Sequence, residues 1–282
     1  MSFPRKWEFS PVIWFWIPAS TGMTSERYFR MNILHHILNI IFPSVCKQCG
    51  CFITTATTTT ACFCSKCWNR IKWFNLPCCP RCGIPYHSLE NSADPFPEFS
   101  AHTCGECIKN PPYFDRAISA GPYTDVLAEA IKLFKYKKKI HIGLGLAGHG
   151  VMAACITNLI QNCPEGIILI PVPLHQNRLR EREYNQSAII TSVINSKFGI
   201  PVLTDILNRQ RYTKPQVELG FRERKENVTG AFTVQNNEVI KGKNIILVDD
   251  VYTTGSTVNE CAKVLKKSGA GKVYVVTIAR MV

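Results

Sequence analysis

Four pairs of cysteines with Cys-x-x-Cys spacing constrain this chain more than any other feature of its sequence. They are Cys46 with Cys49, Cys64 with Cys67, Cys79 with Cys82, and Cys104 with Cys107. Two sulfurs on one tight turn point at a single ion, so repeated short spacing favours metal ligation over disulfide bonding. Of the 14 cysteines, 11 lie before residue 110. The chain therefore divides into a cysteine-rich front and an ordinary globular remainder.

Each Cys-x-x-Cys pair with its turn is called a knuckle below. Pairing the four knuckles in chain order, the first with the second and the third with the fourth, predicts two structural Zn²⁺ sites. The predicted ligands are Cys46, Cys49, Cys64 and Cys67 at the first site, and Cys79, Cys82, Cys104 and Cys107 at the second. The half-sites are separated by 14 and 21 residues, close to the ~15–20 residues of known zinc ribbons. Interleaved pairing remains an alternative, and Cys51, Cys62 or Cys78 could replace a ligand. An iron–sulfur cluster is the second choice of metal chemistry.

Charge and hydropathy limit the compartment and the class of ligand. The formal net charge of +13 suits an anionic ligand but does not identify it. The apolar segments 11–18 and 31–43 are shorter than the ~20 residues that span a bilayer, and neither is followed by a signal-peptide cleavage pattern. We therefore expect no transmembrane segment and a cytoplasmic protein with reduced thiols.

The sequence predicts four regions. Residues 1–30 are expected to be an extension without a folded role, with Met31 as the hypothetical biological start. Residues 31–45 carry an apolar stripe with helical spacing and predict an amphipathic helix. Residues 46–112 hold the cysteine module, and residues 113–282 form the globular domain.

Strand and helix patterns alternate through the globular domain. Predicted strands are 167–172, 245–248 and 273–279, and predicted helices include Leu127–Phe134, residues 144–160, Ile189–Ile194 (ending at Gly199) and a helix that begins with a capping box at Thr257 and Glu260. Alternation with continuously apolar strands is typical of an α/β domain with a mainly parallel sheet.

The most informative motif is IILVDDVYTTGST, residues 245–257. An apolar strand leads into Asp249 and Asp250, and a loop with hydroxyl groups and Gly255 then enters a helix. The N-terminus of a helix offers free N–H groups to a phosphate, while adjacent carboxylates accept hydrogen bonds from a vicinal diol. The motif therefore predicts a sugar phosphate site. An ordinary strand end with a capped helix is the alternative, and the complete strand–loop–helix context argues against it.

This motif resembles the PRPP-binding loop of type I phosphoribosyltransferases. Together with VPLHQNRLREREYNQ (172–186), KPQVELGFRERKENVTGAF (214–232) and the cysteine pairs, it resembles the ComF family of competence-associated proteins. The resemblance covers residues 31–282 and implies a double zinc ribbon followed by a type I phosphoribosyltransferase-like α/β domain.

The resemblance also implies roles for individual residues. Asp249 and Asp250 would bind the ribose 2′ and 3′ hydroxyls, and the 5′-phosphate would be held by Thr253, Thr254, Gly255, Ser256 and Thr257. Arg178 and Arg182 follow a strand end where the superfamily places its pyrophosphate loop, and Arg222 lies in its flexible loop. PRPP would arrive with Mg²⁺. Purine-salvage relatives carry an aspartate where this loop has Thr253, so nothing here indicates a purine acceptor.

Two functions remain open at this point. The first is Mg²⁺-dependent phosphoribosyl transfer from PRPP to an unknown acceptor. The second is a non-enzymatic nucleotide sensor or scaffold that assists import of single-stranded DNA beside a helicase-like translocase, a role that the family resemblance supplies. Lys66, Trp68 and Arg70 combine basic and aromatic groups that suit single-stranded nucleic acid. Packing of the same residues against the globular domain is an equal alternative. A homodimer is compatible with either function, and the sequence does not decide the oligomeric state.

Overall fold

The computed structural model describes residues 44–53, 62–74, 77–86, 102–161, 166–211 and 227–282 of the chain. The predicted extension 1–30, all but the last two residues of the predicted helix 31–45, and Arg222 lie outside these described residues.

The described residues form helices and strands that alternate along the globular domain. In chain order they are α1 (Ser65–Trp68), α2 (Gly105–Lys109), β1 (Arg116–Pro122), α3 (Asp125–Tyr136), α4 (Ile140–Gly148), α5 (Gly150–Gln161), β2 (Ile167–Pro171), α6 (Gln176–Arg182), α7 (Gln186–Phe198), β3 (Leu207–Arg209), β4 (Phe232–Val234), a 3₁₀ turn (Asn237–Val239), β5 (Asn244–Tyr252), α8 (Ser256–Lys267) and β6 (Val273–Arg280).

Four of the strands make one parallel sheet in the order β1-β6-β5-β2. Ile245 of β5 lies opposite Val273 of β6, and Ile168 of β2 lies opposite Ile245 on the other side. A separate antiparallel pair joins β3 to β4. The central strands are apolar throughout because both faces of a parallel sheet are covered. The predicted α/β fold with a parallel sheet is therefore confirmed.

Two apolar cores cover the two faces of this sheet. Ile246 and Val248 pack with helices α3, α4, α5 and α7. Ile245 and Leu247 pack with α8 and with β4. Successive strand residues point to opposite faces, so the two cores lie on opposite sides. Each core also takes in cysteines of one knuckle set: Cys46 and Cys67 in the first core, and Cys79, Cys82 and Cys107 in the second.

The single helix predicted over residues 144–160 is wrong. The structure has two helices, α4 and α5, which meet at an angle of 53°. His149 between them has an extended backbone with ψ of 145°, and glycines on both sides of it weaken helix propagation. Among the described residues no single helix is long and apolar enough to cross a membrane, and only α4 and α5 taken together meet that test by length and composition.

The predicted boundaries around the acidic motif also need correction. Strand β5 continues through Asp249 and Asp250 to Tyr252 instead of ending before the acids. The predicted capping box is wrong, because Gly255 with φ of +75° is the N-cap of α8 and makes no side-chain cap bond. Glu260 instead accepts a hydrogen bond from the amide of Gly230 at 2.9 Å. The predicted helix end at Gly199 is confirmed, with φ of +67° at that residue.

Candidate functional site

A cavity of about 150 Å³ opens at the carboxyl ends of β2 and β5. Ligands of open α/β sheets bind at this edge. Eight residues that carry the chemistry of its lining come from three separate segments of the chain: Lys135, Arg178, Arg182, Asp249, Asp250, Thr253, Gly255 and Thr257. The structure thus brings both predicted acids, both described predicted arginines and three of the five predicted phosphate-loop residues to one cavity.

The two acids are held by different partners. Lys135 of α3 places its Nζ atom 2.8 Å from Oδ1 of Asp250. Asp249 accepts hydrogen bonds at its own Oδ1 from the Ser187 hydroxyl at 3.0 Å and from the Asp250 amide at 2.9 Å. Each carboxyl group therefore keeps one oxygen that these contacts do not use. Two adjacent acids arranged in this way can accept hydrogen bonds from two neighbouring hydroxyl groups.

Burial and mutual repulsion control the ionisation of this pair. Burial, followed by the negative charge of Asp250, raises the pKa of Asp249 to about 7, although Lys135 and the hydrogen bonds from Asp250 and Ser187 act in the opposite direction. Burial lowers the pKa of Lys135, but the charge of Asp250 and their hydrogen bond outweigh it, and the net pKa is raised. At neutral pH the site therefore holds the Lys135 ammonium ion, which contacts Asp250, and an Asp249 carboxyl group whose raised pKa favours its protonated form.

The loop after β5 forms the second wall of the cavity. Gly255 adopts a left-handed backbone with φ of +75°, and a Cβ atom there would lie 2.2 Å from the Tyr252 hydroxyl oxygen. Thr254 and Ser256 bond to each other through their hydroxyl oxygens at 2.8 Å, whereas Thr253 and Thr257 line the cavity. The 12-residue helix α8 begins directly after Gly255, so its free amide groups and dipole favour an anion here.

Arg178 and Arg182 of α6 contribute positive charge to the lining of the cavity. The guanidinium of Arg182 donates to the Gln186 side-chain oxygen at 3.0 Å and lies over the Tyr136 ring at 5.2 Å from its centroid. These contacts fix the orientation of the guanidinium group, so Arg182 is not a freely solvated charge.

Sequence reasoning missed three residues at this site. Lys135 lies on α3, Ser187 lies one residue beyond the 172–186 block, and Arg209 lies on the short strand β3. Arg209 lines the cavity, and burial lowers the pKa of its guanidinium. The proximity of Ser187 to a recognised block was the only sequence signal among the three. Lys135 and Arg209 have no local motif that would have identified them.

The cysteine module repeats one local structure. Cys46 and Cys79 each accept a backbone bond from a glycine four residues later, Gly50 and Gly83, and both glycines have φ of +72°. Cys64 and Cys104 are the N-caps of the short helices α1 and α2. Cys67 and Cys107 then occupy the same buried position on those helices. This repeat supports the sequential pairing of the knuckles.

Sulfur distances fit tetrahedral zinc. A Zn–S bond of about 2.3 Å gives an S···S edge of about 3.8 Å in a tetrahedron. The Sγ atoms of Cys49 and Cys64 are 3.8 Å apart, and those of Cys82 and Cys104 are 3.7 Å apart. Cys79, Cys82, Cys104 and Cys107 form a compact set with all sulfurs within 4.8 Å of one another. The thiol donors thus suit Zn²⁺ at two sites.

The first site contains one thiol more than zinc needs. The compact set at this site consists of Cys46, Cys49, Cys51 and Cys64, so Cys51 stands where Cys67 was predicted. The Cys51 sulfur lies 3.3 Å from that of Cys49, which is short for two ligands of one tetrahedral ion. By position in the repeat, Cys51 corresponds to Ile84 of the second knuckle, whereas Cys67 corresponds to Cys107. The repeat therefore favours Cys67 as the fourth ligand.

Backbone amides favour a thiolate at the start of each site. Burial raises the pKa of Cys46, but amide hydrogen bonds from Cys64, Cys49 and Gln48 lower it to a net value of about 6. The pKa of Cys79 is lowered in the same way to about 7. Zinc binds the thiolate form, so both sites are prepared for a cation.

Comparisons with known proteins agree with this division into two parts. A family model described as a double zinc ribbon domain matches residues 37–109, and one described as a phosphoribosyl transferase domain matches residues 185–281. Among solved structures, adenine phosphoribosyltransferase from Leishmania donovani aligns with a TM-score of 0.30 and 19% identity over 46% of this chain and 52% of that one.

Curated relatives match across both parts of the chain. Competence protein F of Haemophilus influenzae is 32% identical over 219 residues, which span 77% of this chain and 90% of that protein. DNA utilization protein YhgH of Escherichia coli K12 is 30% identical over 77% of this chain and 89% of that protein. Competence protein ComFC of Bacillus subtilis is 24% identical over 85% and 96%. With these matches on both halves, the chain belongs to the ComF family and joins a double zinc ribbon to a phosphoribosyltransferase-type domain.

Proposed function

We propose that the cavity binds PRPP, or a related ribose 5-phosphate ligand, together with Mg²⁺, and that the protein transfers the phosphoribosyl group to an acceptor. The single observation that carries this proposal is the meeting of an acid pair, Asp249 and Asp250, with the start of helix α8 in one cavity. A diol and a phosphate at the two ends of one small molecule match these two walls.

The loop wall supports the phosphate end of the ligand. Amide groups at the start of α8 would donate to the 5′-phosphate, with the hydroxyl groups of Thr253 and Thr257 as further donors. Gly255 adopts the left-handed conformation that starts α8, which a residue with a side chain rarely adopts. The acid wall supports the sugar end, where the ribose hydroxyls would donate to Asp249 and Asp250.

The basic wall supports the leaving group. Transfer would break the bond between ribose C1 and pyrophosphate and form a bond from C1 to the acceptor atom. Arg178, Arg182 and Arg209 line the cavity and would stabilise the negative charge that grows on pyrophosphate. Oxygen donors such as Asp249 and Asp250 suit Mg²⁺, which when bound would neutralise part of the same charge.

The names of the relatives support a role in DNA uptake or utilization. We infer that this protein acts in that setting in the cytoplasm, where reduced thiols can hold zinc. The names of the relatives, which refer to competence and DNA utilization, also favour a second candidate, a sensor or scaffold that assists import of single-stranded DNA with a helicase-like partner. Binding of PRPP without turnover would support that candidate.

Calorimetric titration of PRPP with Mg²⁺ tests the proposal. We expect saturable binding by the wild type and a loss of 10-fold to 100-fold in affinity for Asp249→Asn and Asp250→Asn, since each charge-assisted hydrogen bond contributes about 1.5–3 kcal/mol. Asp205→Asn, a change of an exposed acid outside the cavity, is the matched control. Pyrophosphate release across a panel of bases and amines then separates the enzyme from the sensor. Absence of wild-type binding would contradict both.

A further inference from the structure

The second cysteine cluster, formed by Cys79, Cys82, Cys104 and Cys107, is built into the sheet domain. Ala117 of β1 donates its amide to the Arg81 carbonyl at 2.7 Å. The Arg81 guanidinium donates in return to the carbonyls of Asp115 and Pro112 at 3.3 and 3.4 Å. The knuckle is thus tied to the start of β1 through both main chain and side chain. Movement of this knuckle would be transmitted to the domain.

Arg280 links the same knuckle to the strand that carries the acids. It is the last residue of β6 and is only 4% exposed. Its Nη1 donates to the carbonyl oxygen of Cys82. Its guanidinium carbon lies 4.5 Å from the centroid of the Tyr252 ring, a distance at which a desolvated cation and an aromatic face attract each other strongly.

Tyr252 passes this contact on to the phosphate loop. It ends β5 and lines the cavity. Its hydroxyl group packs directly on Gly255, because a Cβ atom there would lie only 2.2 Å from the hydroxyl oxygen. Phe114 meets the Tyr252 ring edge-on, with 6.3 Å between the centroids. The tyrosine is therefore held between Arg280, Phe114 and the left-handed turn that starts helix α8.

The first cysteine cluster, around Cys46, Cys49 and Cys64, has no comparable route to the loop among the contacts of the described residues. It packs on the opposite face of the sheet. Its side-chain contacts with the domain include the bond from Gln48 to Asp125 at the start of α3, at 3.1 Å, and the contact between the Cys62 sulfur and Nε2 of His141 at 3.9 Å. The first cluster is linked to α3, whose Lys135 contacts the acid pair, whereas the second cluster is linked to the phosphate loop. The two clusters therefore differ in which part of the cavity they reach, although their local structures repeat each other.

We propose that Arg280 and Tyr252 are positioning residues that couple metal occupancy of the second cysteine cluster to anion binding at the phosphate loop. The ordered knuckle fixes the Cys82 carbonyl, which fixes Arg280, and Tyr252 then holds Gly255 in the turn that presents the amides of α8. This inference rests on the proposed function of the cavity. Coupling between two sites is reciprocal, so ligand binding must in turn strengthen zinc binding at the second cluster and not at the first.

Chelator competition on the full zinc-loaded chain tests this coupling without any activity assay. Saturating ribose 5-phosphate is expected to raise the zinc affinity of the second cluster by about 5-fold to 50-fold. The zinc affinity of the first cluster should stay unchanged. Cys104→Ser should remove the response and Cys64→Ser should keep it. An equal response of both sites, or no response while ribose 5-phosphate binds, overturns the coupling alone. No binding of ribose 5-phosphate by the wild type overturns the proposed function and the coupling with it.

Substitutions in the link provide the second test. Arg280→Lys keeps the charge but loses the planar stack, and we expect about 10-fold weaker binding of ribose 5-phosphate together with loss of the zinc response. Tyr252→Phe is the milder change, which keeps the ring under Arg280 and removes the hydroxyl at Gly255. It should weaken binding and leave the ligand-free zinc affinity unchanged. Gln48→Ala, which removes one contact of the first cluster, is the matched control. It should alter neither the affinity for ribose 5-phosphate nor the response of zinc binding to that ligand. Retention of the full zinc response in both link variants overturns the assignment of these residues.

Discussion

The ammonium nitrogen of Lys135 lies 2.8 Å from Oδ1 of Asp250, and the two side chains are only 17% and 10% exposed. This ion pair allows two adjacent carboxyl groups to share one cavity, because it neutralises one of them. Removal of one partner from a buried pair leaves an uncompensated charge. We therefore expect Lys135→Met to lower the free energy of unfolding by about 3 kcal/mol, measured by urea denaturation at pH 7.

A second lysine of the same helix provides the control for that substitution. Lys132 pairs with Glu129 at 3.6 Å, but its side chain is 55% exposed. Solvent-exposed pairs of this kind contribute at most about 0.5 kcal/mol, so Lys132→Met should leave stability almost unchanged. Equal effects of the two substitutions would show that the Lys135 pair has no special role.

The raised pKa of Asp249 predicts a dependence of stability on pH. Its pKa is about 7 in the folded protein and 3.8 ordinarily, so the folded state holds a proton that the unfolded state releases between those values. The contribution of this group to stability is therefore lost as the pH rises from 4 to 7. Asp249→Asn should remove about 3 kcal/mol of this pH dependence, measured as the difference between wild-type and variant unfolding curves at pH 4.5 and pH 8. Parallel curves would contradict the shift.

Two left-handed glycines separate backbone strain from steric contact in the phosphate loop. Gly255 has φ of +75°, and a Cβ atom added there would lie 2.2 Å from the Tyr252 hydroxyl oxygen. Gly199 has φ of +67°, and a Cβ atom added there would have no neighbour within 4 Å. Gly199→Ala should lower stability by about 1 kcal/mol from strain alone. Gly255→Ala adds a clash that displaces the loop, and it should also abolish PRPP binding in the calorimeter. Normal binding by Gly255→Ala would exclude this loop as the phosphate site.

The first zinc site allows a choice between two thiols. The structural repeat favours Cys67 as fourth ligand and leaves Cys51 as an additional exposed thiol. Elemental analysis of purified protein should find two zinc ions per chain in Cys51→Ser. In Cys67→Ser it should find fewer than two, because the first site loses a ligand. The reverse pattern would assign the ligand role to Cys51.

Local patterns predicted strands β2, β5 and β6, helices α3, α7 and α8, and the four cysteine pairs, because each depends on residues close together in the chain. Strands β1, β3 and β4 and the short helices α1, α2 and α6 were not predicted. The acid pair and the loop were predicted for the same reason, since strand, carboxylates and Gly255 are consecutive. The capping box failed because Gly255 begins helix α8 earlier and Glu260 bonds the distant Gly230 instead. Periodicity also did not locate the break at His149, since the apolar residues continue across it.

Contacts between distant segments were not available from the sequence. Lys135 reaches Asp250 only because α3 packs against the sheet, and Arg280 reaches both Cys82 and Tyr252 only because β6 lies beside β5. No spacing rule connects such residues. The site therefore gained its counter-ion, and the loop its support, from tertiary packing alone.

A crystal structure with ribose 5-phosphate would show which groups of the cavity hold the phosphate and the sugar. We expect the phosphate within hydrogen-bond distance of the amides at the start of α8, and the 2′ and 3′ hydroxyl groups hydrogen-bonded to the carboxyl groups of Asp249 and Asp250. A ligand bound away from this cavity, or one whose phosphate lies on the acid pair, would contradict this expectation.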